Sequence, residues 1–130
     1  MFLEISDKQL EAILKLEDAD RYWHSIKTMA SWGEVWGLFD KGWVMAEDND
    51  KNVIFPLWPA KRYALLCAKD NWEGSEPRSI SIEELIEIVL PEIKEEGILL
   101  SIFCKSIDNR GIVVNADKLL NDLEKELENY

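Results

Sequence analysis

The chain has 130 residues, of which 47% are hydrophobic and 32% are charged, and its 26 acidic against 15 basic residues give a net charge of −11. This length and composition predict a single globular domain over residues 1–130 and argue against a disordered segment. The negative charge disfavours nucleic acid and anionic membranes as partners and favours a basic protein partner, because like charges repel.

The first part of the chain predicts two helices. Ser6 and Gln9 have the spacing of a capping box, so a helix is expected to begin there. A second helix is predicted to begin at Asp18 and to run to about Met29, because apolar residues recur at helical spacing between them.

The apolar pattern then changes period and predicts an antiparallel meander of three strands. These strands are Val35–Phe39, Trp43–Glu47 and Val53–Leu57. The segments between them, Asp40–Gly42 and Asp48–Asn52, are rich in residues that favour tight turns.

The third quarter of the chain predicts two more helices. Pro59 suits the first position of the third helix. The segment Asp70–Ser79 is predicted as a loop. Ser81 begins a fourth helix that Gly97 ends, and Pro91 is expected to break or kink it.

The last part predicts a hairpin and a final helix. Ile98–Lys105 and Gly111–Val114 are predicted as strands, and Asn115 caps the last helix. Together the elements predict an α+β fold. We expect an antiparallel sheet of about five strands, the meander plus a hairpin, with helices packed mainly on one face.

The cysteines and the first residues bear on the cellular compartment. Cys67 and Cys104 each lie inside an apolar run, which predicts buried thiols in a reducing compartment. The first ten residues carry acids where a signal peptide has basic residues, and no apolar run approaches the roughly 18 residues of a membrane span. We therefore expect a cytoplasmic protein.

The tryptophans of the meander have two interpretations. As core residues, their large rings would cover the sheet. As a partly exposed patch, they would form a binding surface, because tryptophan is enriched in interface hot spots. The binding residues predicted on the second interpretation are Trp36, Trp43, Trp58, Asp40 and Glu47.

His24 supports an alternative interpretation as an enzyme. It is the single histidine, and Asp20 lies one helical turn before it, where a carboxylate can orient the ring. A small hydrolase would then gather His24, an acid and Cys67 from separate elements. No catalytic motif accompanies these residues, so we predict no catalytic residue.

Metal and cofactor motifs fail on spacing. Asp48, Asp50 and Asn52 alternate as at the start of a calcium loop, but Val53 and Pro59 stand where that loop needs Gly and Glu. The glycines form no phosphate-binding pattern. We expect neither a metal nor a cofactor.

Three segments resemble a known family: WGEVWGLFDKGWVMAEDND, VIFPLWPAKRYALLCA and GIVVNADKLLNDLEKELENY. They resemble the bacterial family named domain of unknown function 2750, over about Leu10 to Tyr130. The resemblance implies a small cytoplasmic bacterial protein without an established activity, and it carries over no catalytic residues. FPLW followed by a helix is also similar to a unit of the secretion-associated SseB-like domains, which implies a role in toxin immunity or secretion.

The sequence thus predicts an acidic, non-enzymatic module that binds another protein. A homodimer that covers the aromatic patch with a second copy is the further possibility.

Overall fold

The computed structural model describes residues 3–106 and 110–129, and the fold is α+β, as predicted. The helices are α1 (Asp7–Leu14), α2 (Asp18–Trp32), α3 (Lys61–Leu65), α4 (Ile82–Glu84), α5 (Leu90–Glu96) and α6 (Ala116–Leu127). The strands are β1 (Glu34–Phe39), β2 (Ala46–Glu47), β3 (Val53–Leu57), β4 (Glu76–Ser81), β5 (Leu99–Ile102) and β6 (Ile112–Val114). Within the described residues, no helix combines the length and the apolar character needed to cross a membrane.

Three helix starts lie at the predicted capping residues. The Ser6 hydroxyl accepts the Gln9 N–H, and the Gln9 side chain accepts the Ser6 N–H, so the capping box is confirmed. Ser81 and Asn115 each accept a backbone N–H three residues ahead. These bonds satisfy N–H groups that have no partner within the helix.

Two other starts differ from the prediction. The residue that caps α2 is Glu17, without a side-chain bond, and α2 extends past Met29 to Trp32. The first residue of α3 is Lys61, after the N-cap Ala60, and not Pro59 as predicted.

Pro91 is accommodated in a continuous helical run without a break. A π-helical turn, Leu85–Val89, joins α4 to α5, and the Leu90 N–H bonds to the Leu85 carbonyl. The wider turn makes room for the proline ring, which collides with the preceding turn of a regular α-helix. Gly97 then ends α5 with a φ of 72°, as predicted.

The prediction of one antiparallel sheet is not confirmed. Strands β1 and β4 form a two-stranded antiparallel sheet, and the other four strands form a mixed sheet in the order β2-β3-β5-β6. Strands β3 and β5 are parallel. The chain between them carries three helices and β4, and a crossover of this length allows parallel pairing, which a hairpin turn does not.

Strand β4 lies partly in the segment that was predicted as a loop. Only Ile80 of its six residues is buried, and Pro77 has no backbone N–H to donate to a neighbouring strand. Its extended conformation comes from pairing with β1 over the whole of both strands. Because β4 pairs on one edge only, it tolerates the proline.

Pro56 lies in an inner strand of the mixed sheet. One edge of β3 pairs with β5, and the other edge pairs with β2 at Ile54 and with β1 at Trp58. Trp58 exchanges both backbone hydrogen bonds with Trp36, each at 2.8 Å. Backbone polar groups of residues two apart in a strand point to the same edge, so those of Pro56 point to the edge that Ile54 and Trp58 share. Pro56 lies between the stretch that pairs with β2 and the one that pairs with β1, where no partner strand among the described residues needs its N–H.

Helices cover both faces of the strands, which corrects the prediction that they pack mainly on one. The larger core cluster joins side chains of α2, α4, α5 and α6 to the sheet. The smaller cluster joins α1 and α3 to the opposite face. On β1, Val35 belongs to the first cluster and Trp36 to the second, as alternation along a strand requires.

A buried hydrogen-bond pair joins α2 to α6 and makes stability depend on pH. The Tyr22 hydroxyl donates to Asp122 Oδ2 at 2.5 Å, and Lys118 Nζ donates to the same oxygen at 2.8 Å. Burial, and then the hydrogen bond to Asp122, raise the pKa of Tyr22 well above its ordinary value. A raised pKa in the folded state means that this stabilisation is complete below the unfolded value of about 10 and is lost as the pH rises above it.

We expect Tyr22→Phe to flatten the fall in unfolding free energy above about pH 10 and to cost about 1–3 kcal/mol at neutral pH. Denaturant unfolding at pH 8 and at pH 11 measures both effects. Tyr63, whose pKa burial also raises, is retained in the variant, so only the difference from the wild type reports on Tyr22. An unchanged slope with pH would contradict this assignment.

Candidate functional site

The five residues predicted to form a binding surface divide between the core and one groove. Trp58 is fully buried and Trp36 is 7% exposed, and both belong to the smaller core cluster. Trp43, Asp40 and Glu47 lie around an open groove.

We call this site the hairpin groove. It has a volume of about 590 Å³ and is lined by residues 40–47 together with Asn71, Trp72 and Arg110. Sequence patterns pointed to none of the last three residues, because they come from separate segments that only the fold brings together. Trp72 ends a short 3₁₀ turn (Asp70–Trp72) inside the region that was predicted as a loop.

Trp43 is held in place from one side. Its ring meets Phe39 edge-on at 5.4 Å between centroids and Phe55 at 5.7 Å. Gly37 leaves the space for it, since a Cβ atom there would lie 2.9 Å from Trp43 Cζ3. The ring is therefore fixed against β1 and β3 and stays partly exposed to the groove.

Backbone bonds shape the turn that carries the groove. The Asp40 N–H donates to the Gly42 carbonyl at 2.9 Å, and the Val44 N–H donates to the Leu38 carbonyl at 2.8 Å. Lys41 takes the left-handed conformation with a φ of 64°. The predicted strand Trp43–Glu47 is consequently regular only at its end, in β2.

The acidic segment after β2 is a closed turn. The Asp48 carboxylate accepts bonds from the side chain and backbone of Asn52 and from the Asp50 N–H. These bonds, with the Asn52 side chain contributing most, hold the pKa of Asp48 below its ordinary value. Arg110 Nη2 donates to the Glu47 carbonyl at 3.0 Å and ties a distant segment to the edge of β2.

A second groove lies between α1 and α2, and we call it the helical groove. Its volume is about 640 Å³. Its lining is mostly apolar with a few polar side chains: Leu3, Ile5, Gln9, Ala12, Ile13, Leu16, His24, Lys27, Thr28, Ser31, Trp32 and Tyr63. Trp32 is 47% exposed beside it.

The residues of the hydrolase alternative do not converge in the helical groove. His24 lines it, but Cys67 is buried in the smaller core cluster, and the described lining includes no carboxylate. Partial burial, and then the charge of Lys27, lower the pKa of His24 and so favour the neutral ring. Thr28 donates its hydroxyl to the His24 carbonyl and so is already engaged.

Metal ligands are not gathered within residues 3–106 and 110–129. No group of three or more His, Cys, Asp or Glu side chains in these ranges has an arrangement that could hold an ion. At the alternating acids, the Asp48 carboxylate accepts the Asp50 N–H and so closes the turn described above.

Comparison with known protein families gives a match over most of the chain. The family model described as "Protein of unknown function (DUF2750)" matches residues 22–123. The chain belongs to this family. The DUF2750 match spans every residue that lines the hairpin groove, and it confirms the resemblance found in the sequence. Comparisons with curated proteins and with solved structures gave no match.

Proposed function

We propose that this DUF2750 protein is a non-enzymatic binding module whose hairpin groove takes an extended segment of a basic protein partner. One observation carries the proposal: the groove brings Trp43, Trp72 and Met45 together beside the acids Asp40 and Glu47.

The apolar side chains of the groove suit a protein interface. Trp43 and Trp72 are partly exposed, and Met45 is 37% exposed. Tryptophan and methionine are enriched in the centres of interfaces, where rigid rings and adaptable thioethers give much contact area. The fixed position of Trp43 reduces the entropy that binding would cost.

Charge favours a basic partner. The groove lining itself is balanced, with the acids Asp40 and Glu47 against Lys41 and Arg110. Acids flank the lining, however, because Asp48 and Asp50 follow Glu47 and Glu73 follows Trp72. With a net charge of −11, the whole molecule attracts positive segments at long range.

The sheet favours an extended occupant. Strand β2 is the end strand of the mixed sheet and forms one wall of the groove. An extended peptide can lie along such an edge, with its side chains meeting pockets beside it, and at Glu47 it would share or replace the bond from Arg110.

A random-peptide display library, selected on the folded protein, tests this proposal. We expect the enriched peptides to be rich in Lys and Arg and to bind more weakly as salt rises. Trp43→Ala should weaken their binding by at least about 2 kcal/mol, which is about thirtyfold. Trp32→Ala is the matched control, because it removes the same side chain from the helical groove and should bind the peptides as the wild type does.

Two outcomes count against the proposal. Peptides that bind Trp43→Ala and the wild type equally, or that lose binding only in Trp32→Ala, exclude the hairpin groove as the binding site. Sedimentation of the wild type and of Trp43→Ala tests a second copy as the occupant. If the wild type is a dimer and Trp43→Ala is a monomer, the occupant of the hairpin groove is a second copy of this chain and not a basic partner.

A further inference from the structure

The two cysteines meet in the core although they are far apart in the sequence. Cys67 follows α3 and Cys104 follows β5. Cys67 Sγ lies 3.1 Å from the Cys104 carbonyl oxygen, to which it donates. The residues are 3% and 2% exposed, and neither thiol forms a disulfide.

The position of Cys104 is fixed by its backbone. Phe103, just before it, takes the left-handed conformation with a φ of 60°, which is rare for a residue with a side chain. Trp58 Nε1 donates to the Cys104 carbonyl at 2.8 Å. The same carbonyl therefore accepts from an indole and from the Cys67 thiol, and this keeps the two cysteines side by side.

The two thiols have different acidities. The Cys67 thiol donates to the Cys104 carbonyl, and the Cys104 thiol donates to the Ser106 carbonyl at 2.7 Å. The interaction between the two side chains lowers the pKa of Cys104 and raises that of Cys67. Burial opposes this shift at Cys104, while the backbone of Ser106 and the charge of Arg110 add to it. Of the two thiols, Cys104 is therefore the more acidic, and the thiolate is the reactive form of cysteine.

We infer that Cys67 and Cys104 are a redox site in which a peroxide converts the adjacent thiols into a reversible intramolecular disulfide. The burial of both residues favours a small oxidant such as hydrogen peroxide over a bulky disulfide.

The chemistry balances in two steps. The Cys104 thiolate attacks one peroxide oxygen, the O–O bond breaks, and with the proton that Cys104 released the products are a sulfenic acid and water. The Cys67 sulfur then attacks the Cys104 sulfur, the S–O bond breaks, and the departing hydroxide takes the Cys67 proton to form a second water. Two electrons pass from the thiols to the peroxide, and a dithiol reductant reverses the change.

The disulfide would act on the hairpin groove, a consequence that rests on the proposed function. Asn71 and Trp72 follow Cys67 along the chain, and Arg110 follows Cys104. All three line the groove. We therefore expect a bond between the sulfurs to alter how these two segments are held at the groove, and with that the affinity of the groove for its partner.

Intact-mass measurement after treatment with hydrogen peroxide tests the redox site. We expect the wild type to lose two hydrogen atoms, to form no disulfide between chains, and to resist alkylation of both thiols after unfolding until dithiothreitol is added. Cys67→Ala should form no disulfide and should instead leave a sulfenic acid on Cys104 that dimedone traps once the protein is unfolded, formed more slowly because the interaction with Cys67 that lowers the Cys104 pKa is lost. Cys104→Ala should form neither product. Two thiols that remain open to alkylation after unfolding of the peroxide-treated wild type, or a disulfide between chains, would overturn the inference, even where a variant fails to fold.

Peptide affinity tests the consequence separately. We expect the oxidised protein to bind the selected peptides at least about fivefold more weakly than the reduced protein, as coupled sites commonly do. A disulfide that forms without changing affinity would exclude the coupling and leave the redox site standing. Because the mass measurement needs no peptide, failure of the redox site is distinguishable from failure of the binding proposal.

Discussion

Replacing Trp58 by alanine is expected to lower the free energy of unfolding by about 3–5 kcal/mol, because a buried Trp leaves a large cavity when truncated. Its side chain is fully buried in the smaller core cluster. Its indole N–H also donates to the Cys104 carbonyl, which the substitution leaves without this donor.

Urea unfolding of Trp58→Ala and of Trp32→Ala measures this effect against a matched control. Trp32 is 47% exposed, so its truncation leaves no closed cavity and should lower the unfolding free energy by about 1 kcal/mol, clearly less than that of Trp58. Equal losses in the two variants would contradict the core position of Trp58.

Gly111→Ala is expected to cost about 2–5 kcal/mol, because it combines a left-handed backbone with overlap against fixed atoms. Gly111 has a φ of 70°. A Cβ atom there would lie 2.5 Å from the Ile102 carbonyl oxygen and 2.7 Å from that of Phe103. Both neighbours are backbone atoms at the end of β5, which cannot swing away as a side chain can.

Gly33→Ala is the control that separates the two causes. Gly33 has a φ of 72°, and a Cβ atom there would meet nothing within 4 Å. Its substitution should therefore cost only the conformational strain, about 1–2 kcal/mol. If Gly111→Ala is no more destabilising than Gly33→Ala in the same denaturant series, the close approach at Gly111 is wrong.

Local chemistry made some elements predictable. Ser6, Ser81 and Asn115 cap helices because each side chain bonds a backbone N–H three residues ahead, a relation contained within one turn. Gly97 ends its helix for an equally local reason, because the left-handed conformation suits glycine.

Relations between distant segments were not predictable in the same way. Strand β4 is mostly polar and is extended because β1 lies beside it. The parallel pairing of β3 with β5 depends on the path of the crossover, which no local pattern of apolar residues records.

The tryptophans show the same limit at the candidate site. Trp36 and Trp43 have similar local patterns, yet the first lies in the core and the second lines the groove. Trp43, Asp40 and Glu47 share one turn and its flanks, so their proximity could be predicted. Trp72 and Arg110 reach the same groove from other parts of the chain.

The most direct test of the hairpin groove follows the indole N–H signals of the protein by NMR during titration with a selected basic peptide. The chain has six tryptophans, and Trp→Phe variants assign their signals. We predict that the signals of Trp43 and Trp72 shift with a common affinity, while that of Trp32 in the helical groove does not move. Shifts at Trp32 with Trp43 and Trp72 unchanged would contradict the account.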